Sequence, residues 1–439
     1  MSTSVPTLPE NTSAIRYTGN LVPLAGHGTP VAPPTYIAPS KNDPPQFAQA
    51  SLHPVPDLSN TDEEPDSFLT DDHGAPVLRP AVVLNSLGAE ATLFENAILA
   101  GQKELLGNRN GGQLPGIYLN ADDFSDSDLL AIATTALKGQ TSQYTPETLA
   151  EALRADLDQA QASTWTSPHR FADTYIRHAV IDGEQIWASP KSEAYKLIAQ
   201  ASQNRADLLF RYFPNAALLG FWLASAAPRR NKLARSLSST VIGYDAHPIS
   251  YGVTKGDPLG GITKGFAVRR NPKTLELERP TGSGKAAPSN VGMGLVPNSP
   301  QDRAFSCSTI LRRASISLTH LRHLTVPGGS PEVSRQIADV LAWMGIYGIL
   351  STSTDGFFRS GCDLVTRADH TTISFVHRDG TTELRDITID DAVAGFQHAY
   401  DQLPDEYRFA PPIHASYPKV ALEARAATLV KESQPGDES

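Results

Sequence analysis

The chain has 439 residues, 40% of them hydrophobic, and a formal net charge of −10. That length carries a true core in one large elaborated domain or about two to three ordinary ones. Two cysteines, Cys307 and Cys362, make no disulfide framework and no CxxC site. The apolar stretches Ala216–Ala227 and Val340–Leu350 fall short of the ~18–20 residues that span a bilayer. No charged segment followed by an apolar run opens the chain, so the expectation is a protein of the reducing cytoplasm that does not enter a membrane.

In chain order, residues 1–13 read as a loose tail, and Ala14–Leu24 as a first strand through Ile15, Tyr17, Leu21 and Val22. Gly26–Pro80 is dense in Pro, Ser and Asp and reads as irregular surface wrap. Pro80–Asn85 is a short buried strand. It leads into a helix over Ala91–Leu106, whose Leu93, Ala97, Ala100 and Glu104 space as one face. Helices follow at Asp126–Leu137 and Pro146–Ala160, the second entered through Thr145 as N-cap with Pro146 at the first position. More helical pattern covers Glu193–Tyr212, before the apolar Ala216–Ala226. Ser239–Asp245, Lys264–Arg269 and Ile310–Leu318 read as strands. Ser330 and Pro331 open a strong helix to Leu350. Thr372–Val376 and Thr382–Leu384 form a hairpin through Asp379-Gly380, and a last helix near Asp390–Leu403 precedes a polar tail. Strands and helices mixed with long loops predict an α+β fold. The expected divisions are an N-terminal strand and wrap over 1–79, a main unit over 80–425 and a polar tail over 426–439.

Charge is unevenly spread. Residues 229–322 hold fifteen Lys/Arg against five Asp/Glu, a local balance of +10, so the remainder carries −20. Such segregation builds a surface for polyanions, most commonly a nucleic-acid backbone. The alternative is a set of solvated basic loops. Gly282-Ser283-Gly284-Lys285 is not a phosphate-binding loop of the nucleotide-hydrolase kind, because Arg279 replaces the first Gly and Ala286 the Ser/Thr. Lys285 on its glycines can still touch a phosphate. His320 and His323, read at a strand end, fall on opposite faces and share no metal. His169-Arg170 either contacts phosphate and base or leaves Arg170 paired with Asp173. Trp222, inside apolar Leu219–Ala224, reads as core. Asp245 and Asp257 stand as acids within the basic segment, open to acid/base chemistry or to simple pairing with an arginine.

Read in order, several segments resemble one family. They are Asn85-Ser86 with the helix through Glu95, Ser167-Pro168-His169-Arg170, and Leu219-Gly220-Phe221-Trp222-(x)2-Ser225. Then come Arg235-(x)2-Ser238-Ser239 running into Val241-Ile242-Gly243-Tyr244-Asp245, Asp257-Pro258-Leu259, the glycine loop Asn290–Pro297, and Leu318-(x)2-Leu321-Arg322. Together they resemble the RAMP backbone subunit of CRISPR Cascade complexes, in the type I-U (now I-G) branch. The resemblance covers roughly residues 80–350, with an echo in Leu21-Val22-Pro23; Thr240, Leu223-Ala224 and Met293 depart from the family pattern.

The resemblance implies a modified RRM-like (ferredoxin-like) palm with helical insertions and long basic loops, one of them a thumb. It implies copies polymerising along a CRISPR RNA beside a large subunit and an RNA-processing end subunit, with guide bases left exposed for a target DNA strand. It implies no catalytic residue, metal or cofactor. The residues expected on the RNA backbone are Arg229, Arg230, Lys232, Arg235, Arg269, Arg270, Arg312 and Arg313, then His169 and Arg170, with Lys285 in the glycine loop. Alternation along a strand lets at most one of Arg312 and Arg313 reach RNA. Two other classes remain open: a ribonuclease using Asp245 or Asp257, and an interaction scaffold with no nucleic-acid role.

Overall fold

The computed structural model describes residues 6–36, 46–59, 67–140, 142–223, 231–251, 268–270, 276–279, 301–354 and 356–433. Its main feature is an antiparallel sheet of eight strands: β1 Thr12–Pro23, β2 Gln49–Pro54, β3 Leu78–Asn85, β4 Leu237–Tyr244, β5 Thr309–Ser317, β6 Gly356–Arg359, β7 Cys362–His377 and β8 Thr382–Arg385. The order is β6-β7-β1-β5-β4-β3-β2, with β8 on β7. β1 lies between β5 and β7, with Arg16 opposite Ser315 and Ser374, and Thr18 opposite Arg313 and Thr372. The strand expected within the first 79 residues is therefore central to the sheet. The stretch expected to be irregular also supplies the edge strand β2.

One face of the sheet is covered by two helices, α1 Leu87–Ala100 and α2 Pro331–Ser351. Ser330 caps α2 by accepting from the Val333 amide, with Pro331 in the first turn. From Ile337 to Ile349 only Asp339 escapes full burial. Two glycines let this helix come close to its neighbours. A Cβ on Gly345 would stand 2.8 Å from Ile316 Cδ1, and one on Gly348 would stand 3.1 Å from Ile98 Cδ1. The sequence expectation placed Leu93, Ala97 and Ala100 on one face of α1. The face that is buried instead carries Glu90, Ala91, Phe94, Glu95 and Ile98.

A helical part packs beyond α1 and α2. Helices Asp126–Leu137 and Pro146–Ala160 begin and end where the sequence predicts, with the Thr145 hydroxyl accepting from the Thr148 amide. They pack with helix Lys419–Glu432, which Arg425 ties to Asp156 at 2.7 Å. Strand Ile413–Ser416 pairs in parallel with Ile117–Asn120. The polar tail expected from residue 426 is thus a helix as far as Glu432, with Ala426, Leu429 and Val430 buried. The Asp379-Gly380 hairpin forms as expected, with Gly380 at φ +86°. His320 lies in a short helix, Leu318–Leu321, rather than on a strand, and its Nδ1 is 2.9 Å from Ser236 Oγ. Among the described residues no helix is long and apolar enough to cross a membrane.

Candidate nucleic-acid interface

The outer face of the sheet is built by alternation. On β5, Arg312, Ala314 and Ile316 point inward, and Arg313 and Ser315 point outward. The register sets Arg313 opposite Thr18 on one side and Thr240 on the other. Ser315 stands opposite Arg16 and Ser238. Two adjacent rows therefore run across β1, β5 and β4, each with one arginine and two hydroxyls. They line a cleft of about 220 Å3 that Leu87, at the start of α1, closes on one side. Short hydroxyls around guanidiniums suit the phosphate and sugar oxygens of a nucleic-acid strand, contacts that carry no sequence information.

The inward-facing charges are held differently. The Glu90 carboxylate on α1 accepts from Arg312 Nε at 2.7 Å, Ser239 Oγ at 2.6 Å and Asn85 Nδ2 at 2.6 Å. Arg312 also donates to the Thr352 carbonyl at 2.7 Å and lies over the Phe94 ring. At 1% exposure Arg312 cannot reach a strand of RNA, so it leaves the expected contact set; the same alternation turns Arg313 outward.

Arg170 is buried as well. It grips Glu95 with both Nε (2.7 Å) and Nη2 (2.9 Å) and donates to the Gly220 carbonyl at 3.0 Å. Its guanidinium is paired with Glu95 and not with the Asp173 carboxylate. Its backbone sits at φ +56°, a conformation uncommon for a non-glycine residue and retained here by three hydrogen bonds. Burial pushes the Glu95 carboxyl up, opposed by Arg170 and by the Asn215 amide. His169, beside it, is exposed.

Gly220 begins a two-stranded hairpin, Phe221–Leu223 with Asn231–Leu233, which pairs with no other strand among the described residues. Its inward residues Phe221, Leu223 and Leu233 are 7%, 2% and 6% exposed. Trp222 is turned outward and 72% exposed, so its expected place in the core is corrected. The period-2 geometry of a strand separated it from its apolar neighbours. Lys232 stands directly across from Trp222 and is also exposed. Arg235 follows, exposed, donating to the Leu87 carbonyl at 2.6 Å, and so joins the hairpin to the mouth of the cleft. Partial burial and the nearby Arg170 charge hold its guanidinium below the usual range, with Glu95 pulling the other way.

The remaining expected contacts are scattered or out of view. Arg229, Arg230 and Lys285 lie outside the described residues, as does Asp257. Strand Arg269–Arg270 pairs with Leu277–Glu278. Asp245 sits at φ +50°, with His247 Nε2 at 3.2 Å and Arg79 Nε at 4.0 Å. Sequence reasoning missed Arg16 and the hydroxyls of β1, β4 and β5. Arg16 was visible within a predicted strand, but only the long-range pairing of β1 with β5 gives it a row.

Comparison with known proteins adds three findings. No curated protein matches the sequence. A chain of a solved "CRISPR RNA-guided surveillance complex, pre-nicking" is similar over 95% of this chain and 100% of that one, at 9% identity and a TM-score of 0.26, a likeness too distant to carry a structural argument. The family described as CRISPR-associated protein GSU0053 matches residues 15–248, more than half of the chain and most of the motifs read in the sequence. The chain belongs to this CRISPR-associated family, of the Cascade backbone-subunit type.

Proposed function

We propose that the protein is a guide-binding backbone subunit: it lays the sugar-phosphate chain of a CRISPR RNA across the outer face of its sheet and polymerises along that RNA. The carrying observation is the pair of rows Thr18-Arg313-Thr240 and Arg16-Ser315-Ser238, which line one cleft that Arg235, through the Leu87 carbonyl, connects to the hairpin bearing Lys232. A subunit that must accept any guide needs contacts of this kind, because phosphate and sugar are common to every sequence. Copies joined head to tail on one RNA form an open helix, leaving bases exposed for a target DNA strand and the filament ends for the large and RNA-processing subunits.

The strand order supports the RRM-like reading of the palm. Taken in chain order, β1, β4, β5 and β7 occupy the sheet as β7-β1-β5-β4, the fourth-first-third-second arrangement of a ferredoxin-like unit, with α2 between β5 and β7. β3 is an added strand ahead of α1. The helical part and the basic segment after β4 are then insertions into one palm.

Membership of a Cascade-type family favours a structural over a catalytic role. Of the two loop aspartates, Asp245 is engaged by Arg79 and His247. Added divalent metal should therefore leave bound RNA intact in the wild type and in Asp245→Ala alike; cleavage lost in that variant would establish a ribonuclease instead. The assembly is tested by producing the protein with and without a CRISPR-array transcript and following absorbance at 260 and 280 nm across a sizing column. Large RNA-rich particles that need the transcript are expected. RNA-free protein of one size in both preparations, with the partner subunits also present, would contradict the proposal.

A further inference from the structure

The hairpin 221–233 has a feature that the phosphate grip does not use. Trp222 is the most exposed large hydrophobic side chain among the described residues, while Trp165 and Trp343 are 1% and 2% exposed. Its exposure is built in. Phe221 packs tilted against Phe171 with ring centroids 4.6 Å apart, Leu223 and Leu233 are buried, and alternation then forces Trp222 and Lys232 outward together. The turn that starts the hairpin is equally constrained. Gly220 has φ +75°, a Cβ there would stand 2.6 Å from the Leu233 carbonyl oxygen, and Arg170, locked on Glu95, holds the Gly220 carbonyl.

The sequence on either side of the ring is basic. From Leu208 to Tyr244 the sequence contains no Asp or Glu and five Lys/Arg: Arg211, Arg229, Arg230, Lys232 and Arg235. An indole face with a lysine directly across the strand pair matches a nucleotide, whose base is an aromatic plane and whose phosphate lies one sugar away. A protein partner would more often be met by an aromatic inside a patch of other apolar groups, and here the residue directly across the strand pair is a lysine.

We propose that Trp222 is a stacking platform for one unpaired base of single-stranded RNA, with Lys232 neutralising that nucleotide's phosphate. This rests on the RNA-binding reading above and deepens it. Backbone grip on the sheet face is joined to one base-plane contact per subunit, which every base can satisfy because every base has a π face.

The test uses the full chain, a short oligouridylate and inorganic polyphosphate, a polyanion without bases. Trp222→Ala is expected to weaken oligouridylate binding by about fivefold to about a hundredfold. Trp222→Phe should recover most of that loss, and polyphosphate binding should be equal in all three proteins. Lys232→Ala should weaken both ligands. Oligouridylate bound as tightly by Trp222→Ala as by the wild type would overturn the platform while leaving the phosphate grip standing. An equal loss of polyphosphate binding in Trp222→Ala would overturn it too, as would a smaller assembly with unchanged RNA affinity, which would make the ring a protein contact. Wild-type protein that binds neither ligand would remove the RNA reading and the platform with it.

Discussion

The two faces of the sheet treat arginine in opposite ways, and neighbouring residues of β5 show it. Arg312 points inward and is 1% exposed, held by Glu90, the Thr352 carbonyl and the Phe94 ring. Arg313 points outward between Thr18 and Thr240. The inner face uses its charges to fix the framework: Glu90 and Glu95, on the buried side of α1, reach Arg312 on β5 and Arg170 beside the hairpin. The outer face turns Arg16 and Arg313 to the lining of the cleft instead. The comparison teaches that basic residues one position apart on a strand can divide into one that fixes the framework and one that reaches the surface. A count of Lys and Arg cannot separate the two.

The largest expected effect breaks that comparison if it fails. Arg312→Ala leaves Glu90 buried without its cation and should destabilise the fold by about 3–5 kcal/mol in chemical denaturation. Arg313→Ala should cost about 1 kcal/mol or less. Equal losses from the two would mean that the faces do not differ as described.

Next in size is Arg170→Ala, which strands Glu95 and frees the Gly220 carbonyl. A loss of about 3 kcal/mol is expected, together with a change in Trp222 fluorescence that Arg312→Ala does not produce, because only Arg170 holds the root of the hairpin.

A smaller effect concerns Asp339 on α2, whose carboxyl burial raises to about 6, against the pull of Arg322 and Arg335. The folded state then holds this proton at pH values where the unfolded chain has lost it. Its contribution to stability is therefore greatest in acid and declines as pH rises through about 6. The stability of Asp339→Asn relative to wild type should be highest near neutral pH and should shrink on acidification to pH ~5. A difference that does not vary with pH would contradict the assignment.

Local signals in the sequence carried well into the structure. Thr145-Pro146 and Ser330-Pro331 start helices as their capping chemistry requires, and Asp379-Gly380 turns a hairpin. The alternation of Arg312 and Arg313 was also legible, since it needs only a strand. What was not legible depends on distant partners. Arg170 was weighed against Asp173, three residues away, whereas its partner Glu95 comes from 75 residues earlier. Trp222 took the character of its apolar neighbours, because composition over a short run does not reveal which residues a two-stranded hairpin turns outward. The buried face of α1 was misplaced for a related reason: Glu90 and Glu95 look like solvent residues until Arg312 and Arg170 are brought to them.

The central claim is that the outward arginines of the sheet grip the RNA backbone, and salt dependence of binding tests it most directly. Guide-RNA affinity of the wild type and of a double variant, Arg16→Ala with Arg313→Ala, is measured across a range of salt concentrations for several unrelated guide sequences. The account predicts equal weakening for every guide and a plot of log affinity against log salt flatter by about two ions. An unchanged slope, or a loss confined to particular guides, would contradict it.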